Sequence, residues 1–543
     1  MFKQYLAIFV CVIVWGHKSS NAQSADKLSA KDYFEYEDYN RALIEYLKLY
    51  KEDKNDLSTN IKIGFCYLKV NDDKTKAIPF LEFVYKKGEY NDELLLYLGM
   101  AYMYAYKLDE AIKFFNAYRA KIKSKNYELI DRYIENCESA KVLMKKPVNV
   151  TFENLGKPIN TKYPEYYPFV TQDQGTFYFT SSRETNAKKI QSSEGYYTTD
   201  IYFSKVKQGE WTKAKSVGNA INTEEDEQCV YVTPDGQNMI VYIDNEKVHG
   251  DIYITSLGPK IKSFPAPIPF KDPVNTNSLE LDGCISEDLN TLIISSNREG
   301  GLGETDLYKF KKLPNGEWGQ PINLGPNVNS PYKEGFPVYD EKNKILYFAS
   351  KGHTNMGGFD TFKSKFDEET QTFGQAVNMG YPINTPEDNI GFTLTENKRD
   401  GYLAAVRKEG LGDLDIYRII FNDVENRPSI IKGTISTGDT LKTEIDAFIT
   451  LLDAQTKEEL DSKNANPTSG KFIFAVGPGK YILTVVSPGF VDVKEEITVY
   501  DKIDYVFEIE KNIPLQKPGA AIPSPIKGKT IKPGNSPVPL KNK

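Results

Sequence analysis

Apolar and polar positions follow three different periods along this chain. From about residue 25 to 122 the unit is 34–35 residues long. Ala42, Ala77 and Ala111 recur at that spacing, each preceded twelve or thirteen residues earlier by a small residue: Ala30, Gly64 or Gly99. Tyr33, Tyr67 and Tyr102 come three residues after those, and Tyr46, Leu81 and Phe115 come four after the alanines. Small residues let two helices approach, and the large apolar one fills the space beside the contact. The period therefore predicts one helix pair per unit. Residues 126–145 read as a further helix capping the stack, ended by Pro147.

Between about residues 149 and 421 the unit lengthens to 51–55 residues and the alternation becomes that of strands. An Asp-led triplet occurs five times: Asp200-Ile201-Tyr202, Asp251-Ile252-Tyr253, Asp306-Leu307-Tyr308, Asp360-Thr361-Phe362 and Asp415-Ile416-Tyr417. A second marker also occurs five times, led by Ile159-Asn160-Thr161 and Ile221-Asn222-Thr223 and continued by Val274-Asn275-Thr276, Val328-Asn329-Ser330 and Ile383-Asn384-Thr385. Short β-rich runs such as Thr176–Thr180 and Ile345–Ala349 lie between the markers, separated by turns such as Pro234-Asp235-Gly236. Four short strands per unit, five times over, predict a five-bladed β-propeller. The last Asp triplet has no outer strand after it, whereas Val150–Leu155 precedes the first blade. That segment is expected to supply the outer strand of the fifth blade, closing the ring and removing its free edges.

The third segment, Ile430–Ile509, alternates in short runs broken by Gly470, Gly477-Pro478-Gly479 and Ser487-Pro488-Gly489, which suits one small β-sandwich. From residue 513 the tail is rich in Pro, Gly and Lys without an acid and reads as a flexible arm. The expected fold class is thus multidomain: an all-α tetratricopeptide-type (TPR) solenoid, a five-bladed propeller and a small β-sandwich. The expected boundaries are 1–22 for a signal peptide, 23–146 for the helical repeats, 147–424 for the propeller, 425–512 for the sandwich and 513–543 for the tail.

Composition narrows the function. With 68 Lys and Arg against 75 Asp and Glu, the formal charge is −7, without the basic footprint of a nucleic-acid binder. The 40 % hydrophobic and 13 % aromatic content supports real cores. Only three histidines occur, and His17 lies in the leader, so a three-His zinc site cannot form and any His-dependent triad must use His249 or His353. Lys3, the apolar run Tyr5–Trp15 and Ser20-Asn21-Ala22 predict an exported chain cleaved after Ala22, with no transmembrane span. Cys66, Cys137, Cys229 and Cys284 are not in C-x-x-C spacing, which excludes a metal knuckle. They read as buried thiols, while export leaves a Cys229–Cys284 or Cys66–Cys137 disulfide open.

No P-loop or Gly-x-Ser-x-Gly elbow is present, so no catalytic residue, metal or cofactor is assigned and the chain is expected not to be an enzyme. Candidate partner-binding residues are Phe65, Leu68, Lys69, Met100, Met103 and Tyr104, on the first helix of each pair. They either line a groove for a peptide or helix, or pack on the neighbouring propeller or capping helix. Tyr196 and Tyr197 sit in the long loop 184–199 and are the other candidates. The five triplet Asp residues are expected to accept backbone or Arg hydrogen bonds at a blade turn, and Arg298, Lys351 and Arg407 precede their Asp by eight or nine residues, a spacing suited to one ion pair per blade. Glu165, Glu227, Glu280, Glu334 and Glu387 are placed at the start of the innermost strands, as a solvated acidic rim at one channel mouth, the alternative being a ligand site there.

The helical pattern resembles the tetratricopeptide family, without the Trp of its first helix. The propeller motifs, including Ser181-Ser182-Arg183 and Ser296-Asn297-Arg298-Glu299-Gly300-Gly301, resemble the WD40-like repeats of the TolB type, with Asn245-Glu246-Lys247 departing in the second blade. The third segment resembles the carboxypeptidase regulatory-like sandwich. Together the order resembles the PorE-related family of periplasmic proteins of the type IX secretion and gliding machinery. That resemblance implies a non-enzymatic scaffold at the outer membrane that binds outer-membrane or periplasmic proteins. The family's OmpA-type domain has no counterpart here, so peptidoglycan anchoring is not expected. The alternative is a glycan- or peptide-binding accessory protein of an uptake system.

Overall fold

The computed structural model describes residues 28–123, 127–184, 196–244, 250–258, 263–423, 429–437, 444–499 and 508–518. The expected leader, His249, Asn245-Glu246-Lys247, most of the long first-blade loop and the tail beyond residue 518 lie outside them. The described chain forms two compact units, one taking in the helices and five sheets, the other seven further strands.

Antiparallel strands dominate, and this corrects the expectation of an all-α TPR solenoid. Seven α-helices lie among the described residues, all between Ala30 and Leu143: α1 (Ala30–Glu35), α2 (Tyr39–Glu52), α3 (Leu57–Lys69), α4 (Ala77–Lys87), α5 (Glu93–Tyr104), α6 (Leu108–Arg119) and α7 (Tyr127–Leu143). Successive helices pack closely where glycine permits it. A Cβ on Gly64 would stand 2.4 Å from Leu81, and one on Gly99 would stand 2.5 Å from Phe115. The helices are not a free-standing domain, however. Their main core cluster, with Leu68, Met100, Met103 and Phe115, also takes in Met356 and Tyr381 of the sheet region. A helical layer this thin buries its second face only by borrowing apolar surface from its neighbour.

Five antiparallel sheets follow, each running from an inner to an outer strand. Their inner strands are Glu165–Val170, Asp226–Val232, Glu280–Ile285, Glu334–Asp340 and Asn389–Leu394. Each touches the next and the fifth touches the first, so the sheets close into a five-bladed propeller. All five Asp triplets open the third strand of a blade. The fifth blade takes its outer strand from Val150–Asn154, paired antiparallel with Asp415–Phe421 in the register Val150↔Phe421 to Asn154↔Tyr417.

The second unit has two sheets around one core. Ser429–Ser436 lies between Lys471–Val476 and Glu508–Pro514, and the facing sheet orders Glu459–Asn464, Phe448–Asp453, Gly479–Val486 and Val493–Val499. Ile513 and Leu515 are buried in this core, so the ordered sandwich runs past the boundary expected at residue 512. Cys66, Cys137, Cys229 and Cys284 are buried free thiols.

The helical layer docks on the loops between the second and third strands of the fourth and fifth blades and, at Glu387, on the loop before the fifth inner strand. Arg132 of α7 donates to the carbonyls of His353 (3.0 Å) and Lys351 (2.7 Å), and Asn136 donates to that of Gly357 (3.2 Å). Asn71 donates to Asp413 at 2.7 Å. Lys74 forms an ion pair with Glu387, their side chains only 6 % and 18 % exposed. Removing one partner of such a pair strands a buried charge, at a cost of about 3–5 kcal/mol. Glu387→Ala should therefore lower the unfolding midpoint clearly, while Lys74→Met in the Glu387→Ala background should recover most of the loss. A double-mutant cycle by thermal denaturation checks this; strictly additive losses contradict it.

Candidate functional site

The two fivefold sequence markers meet in every blade. Each marker Asn accepts the main-chain N–H of the middle residue of an Asp triplet and donates back to the same residue's carbonyl. The pairs are Asn160 with Ile416, Asn222 with Ile201, Asn275 with Ile252, Asn329 with Leu307 and Asn384 with Thr361. A side-chain amide thus stands in for a strand, satisfying both polar groups of a buried residue at the blade's edge.

The following Thr or Ser binds the carboxylate four residues on. The main-chain N–H groups of Thr161, Thr223, Thr276 and Ser330 donate to Glu165, Glu227, Glu280 and Glu334 at 2.7–3.0 Å. These four glutamates are 0 % exposed, which overturns the solvated rim. In the fifth blade the position belongs to Asn389, which accepts from Thr385 at 2.7 Å, and Glu387 is two residues out of register. Of the triplet Asp residues, Asp360 takes the expected backbone donor from Met356 and Asp415 from Leu411, but the expected Asp–Arg pairs are corrected. Arg183 and Arg298 pair with Glu165 (3.1 Å) and Glu280 (3.0 Å), because a buried carboxylate needs a counter-charge. Asp306 is already filled by the N–H groups of Leu302 and Gly303 and by the amide of Asn323. Lys351 is half-buried with its ammonium 4.6 Å from the Phe359 ring centre. Where Asn389 replaces the glutamate, Arg407 lies 3.5 Å over the Phe152 ring and donates to Pro382.

Two residues further along the inner strands stand Tyr167, Cys229, Asp282, Phe336 and Gly391. Each inner strand carries a register shift near this point. Tyr167 and Phe336 have left-handed backbones, with φ of 54° and 56°. They come from the first and fourth blades, yet their ring centres are 5.1 Å apart. Asp282 of the third blade accepts the Tyr167 hydroxyl and, at 3.2 Å, the Phe336 N–H. Side chains of non-adjacent blades therefore plug the axis. Burial pushes the Asp282 carboxyl up to about 6, against the opposing hydrogen bonds.

Beyond the plug, at the end where the inner strands turn back, lies a cavity of about 160 Å³ lined by residues from all five blades between positions 169 and 398. Phe169, Tyr231, Tyr339 and Tyr347 supply aromatic wall, and Glu287, Asp340, Glu341, Lys342, Glu396 and Lys398 the charge. The turns at this mouth are pre-formed: Thr171 donates to Asp173, Thr233 to Asp235, Ser286 to Asp288 and Thr395 to Asn397. This Thr/Ser-x-Asp/Asn spacing is a sequence signal for the mouth that the two markers overshadow.

The structure places the sequence candidates elsewhere. Leu68, Met100 and Met103 are buried in the cluster shared with Met356. Tyr104 lies 5.0 Å from the Lys74 ammonium, and burial beside Glu387 holds its phenol high. Half-buried Phe65 stacks among Phe34, Tyr39 and Tyr97, with the Lys69 ammonium 5.2 Å from its ring. Tyr196 donates to Asp413 and accepts from Asn40 of α2, and Tyr197 packs edge-on against Tyr163. His353 donates to the Val328 carbonyl at 2.8 Å and packs on Phe362. Among the described residues no group of His, Cys, Asp and Glu is arranged to hold a metal ion, and no helix is long and apolar enough to cross a membrane.

No family model matches the chain, and no curated protein does. Among solved structures, TolB from Acinetobacter baumannii is similar at 12 % identity and a TM-score of 0.28, over 47 % of this chain and 54 % of that one. This chain therefore spans about half the length of TolB. The endo-arabinase from Bacteroides thetaiotaomicron is similar at 13 % identity and a TM-score of 0.31, over 49 % of this chain and 96 % of that one. Bacillus subtilis levansucrase is similar at 10 % identity and a TM-score of 0.32, over 49 % and 84 %.

The buried glutamates make stability depend on pH. Burial raises Glu165 and Glu334 to about 7 and Glu227 to about 8, from 4.5 in each case. Across that interval the folded chain keeps protons that the unfolded chain releases, so these groups cost stability as pH rises. Thermal melts should show wild type losing midpoint between pH 5 and 8.5. Glu227→Gln should flatten that loss and raise the midpoint by about 2–4 °C at the upper end. Asn389 shows that an amide can occupy the position. A slope unchanged by the substitution contradicts the assignment.

Proposed function

We propose that this chain is a binding scaffold without chemistry of its own, engaging a partner polypeptide at the propeller mouth. The observation that carries the reading is the division of labour between the propeller's two ends. At one end the loops are occupied by α7 and the Asn71–Lys74 segment. At the other, all five blades converge on a cavity to which, among the described residues, no helix contributes.

The disposition of the carboxylates supports binding over catalysis. Glycosidic hydrolysis needs two carboxyl groups flanking a bound substrate, about 5–9.5 Å apart. Glu165, Glu227, Glu280 and Glu334 are instead sealed under backbone and hydroxyl donors, and Asp282 is held by Tyr167 and Phe336. The cavity's size also favours a protruding side chain over a glycan, since ligand pockets commonly span about 300–1,000 Å³. The resemblance in module order favours a periplasmic setting at the outer membrane, with outer-membrane or periplasmic proteins of a type IX secretion-type machine as partners.

Photo-crosslinking in the native envelope tests this. A benzophenone side chain at Lys342, on the exposed mouth, should capture an outer-membrane or periplasmic protein. The same group at Ile44, exposed on α2, should not. No adduct at Lys342, or the same adducts at both positions, would rule the mouth out.

A further inference from the structure

Resting on the reading of the mouth as the binding end, its chemistry narrows the ligand. The residue following the Thr, Ser or Asp that opens each inner turn is Gln172, Pro234, Glu287, Glu341 or Glu396. All five line the cavity, with three glutamates on consecutive blades. The two lysines of the mouth are engaged: Lys342 pairs with Glu396 at 2.8 Å, and Lys398 donates to Asn343 at 2.6 Å. Gln172 also donates to Glu396 at 2.7 Å. Glu287 and Glu341 form no hydrogen bond or ion pair with another described residue, although Glu287 lies near enough to Lys342 to act on its ammonium.

A second observation points the same way. Tyr231, from the second blade's inner strand, is only 5 % exposed and belongs to the cavity wall. Its hydroxyl makes no hydrogen bond to another described residue. Burial, with Cys284, Glu287 and Glu341 near it, pushes the phenol pKa up, so it stays a neutral hydroxyl that can accept as well as donate. Phe169 packs edge-on against Tyr231 with ring centres 5.5 Å apart, and Tyr339 continues the wall. Unpaired carboxylates at the lip and aromatic faces within are what a long cationic side chain requires, its charge meeting carboxylates while its stem lies on rings. A cavity of about 160 Å³ admits one such side chain and not a folded segment.

We propose that the mouth is a socket for a single basic side chain, arginine or lysine, presented by a partner polypeptide. Glu287 and Glu341 receive the charge and Tyr231 an N–H.

The test uses the full chain and three probes: a terminally blocked Gly-Gly-Arg-Gly-Gly peptide, the same peptide with Gln for Arg, and spermidine. Calorimetric titration at low and at physiological ionic strength should show the Arg peptide binding at least about tenfold tighter than the Gln peptide, with the difference shrinking as salt rises. The double variant Glu287→Gln, Glu341→Gln should lose that preference. Its thermal midpoint should match wild type, since both side chains are exposed. Tyr231→Phe, which keeps the ring, should weaken the Arg peptide by about threefold or more. Equal affinity for the Arg and Gln peptides, or a preference that survives in the double variant, overturns the socket. Spermidine binding as tightly as the Arg peptide overturns the assignment to a polypeptide side chain. If the peptides show no preference while Lys342 still captures a partner, the socket fails and the binding reading stands. If both fail, the mouth is not the binding end.

Discussion

The propeller depends on one repeated interaction, the exchange of two hydrogen bonds between a marker asparagine and the middle residue of an Asp triplet. Each third strand opens at a buried residue whose main-chain groups face the gap before the next blade. The carbonyl also accepts a main-chain N–H from the outer-strand segment, so without the asparagine it is the residue's own N–H that would be stranded, at about 1–3 kcal/mol per blade. Asn160, Asn222, Asn275, Asn329 and Asn384 fill that gap with a planar amide that donates and accepts at once. No charged side chain could do both, which is why these positions are amides in all five blades. The Thr or Ser after each amide then orients the carboxylate or amide that begins the inner strand, so local sequence and ring assembly use the same few residues.

Once the markers are tied up in this way, the acidic residues around them acquire roles their sequence pattern does not reveal. A glutamate at the start of an inner strand looks like a rim charge, because a short strand with a polar first residue commonly starts at the surface. Here the Asn-Thr loop folds back over it, and the 0 % exposure of Glu165 or Glu334 follows from a contact four residues away plus a hydroxyl from the neighbouring strand, Ser181 or Ser350. The arginine eight residues before an Asp faces the same competition. Asp306 takes main-chain donors from its own glycine turn, and the guanidinium goes to the carboxylate that has lost most water.

The propeller was legible in the sequence because two markers recur in register and each acts locally. The closing strand was legible for a related reason: the fifth triplet lacked an outer strand, and the only unmatched one preceded the first blade. Side-chain placement on the helices was not legible. The 34–35-residue period reports which helices pair, as Gly64 against Leu81 and Gly99 against Phe115 bear out, but carries no information on what the remaining helical face meets. Met100 and Met103 suit an open groove and an internal seam equally well, and only the position of Met356, some 250 residues later in the chain, decides for the seam. The mouth was missed because its turn residues, Thr171 to Asp173 and Ser286 to Asp288, read as ordinary loop punctuation.

Helix docking and ring closure are coupled by the chain itself. Helix α7 ends at Leu143, Val148 donates to the Tyr381 carbonyl at 2.7 Å, and Val150 is already in the closing strand. Six residues therefore separate the helical layer from the fifth blade's edge, and Tyr381 itself packs against the helical core. The helices cannot lift from the blade loops without straining the strand that closes the ring, and the ring cannot open at that edge without disturbing the helices. Arg407 reinforces the junction by lying over Phe152 of the closing strand instead of pairing with a glutamate, which is consistent with the fifth blade having an amide at position 389. The exchange of glutamate for an amide at position 389 thus falls where the two ends of the propeller meet. The opposite end, where the mouth lies, takes no part in this junction, so its turn residues can vary without disturbing the closure of the ring.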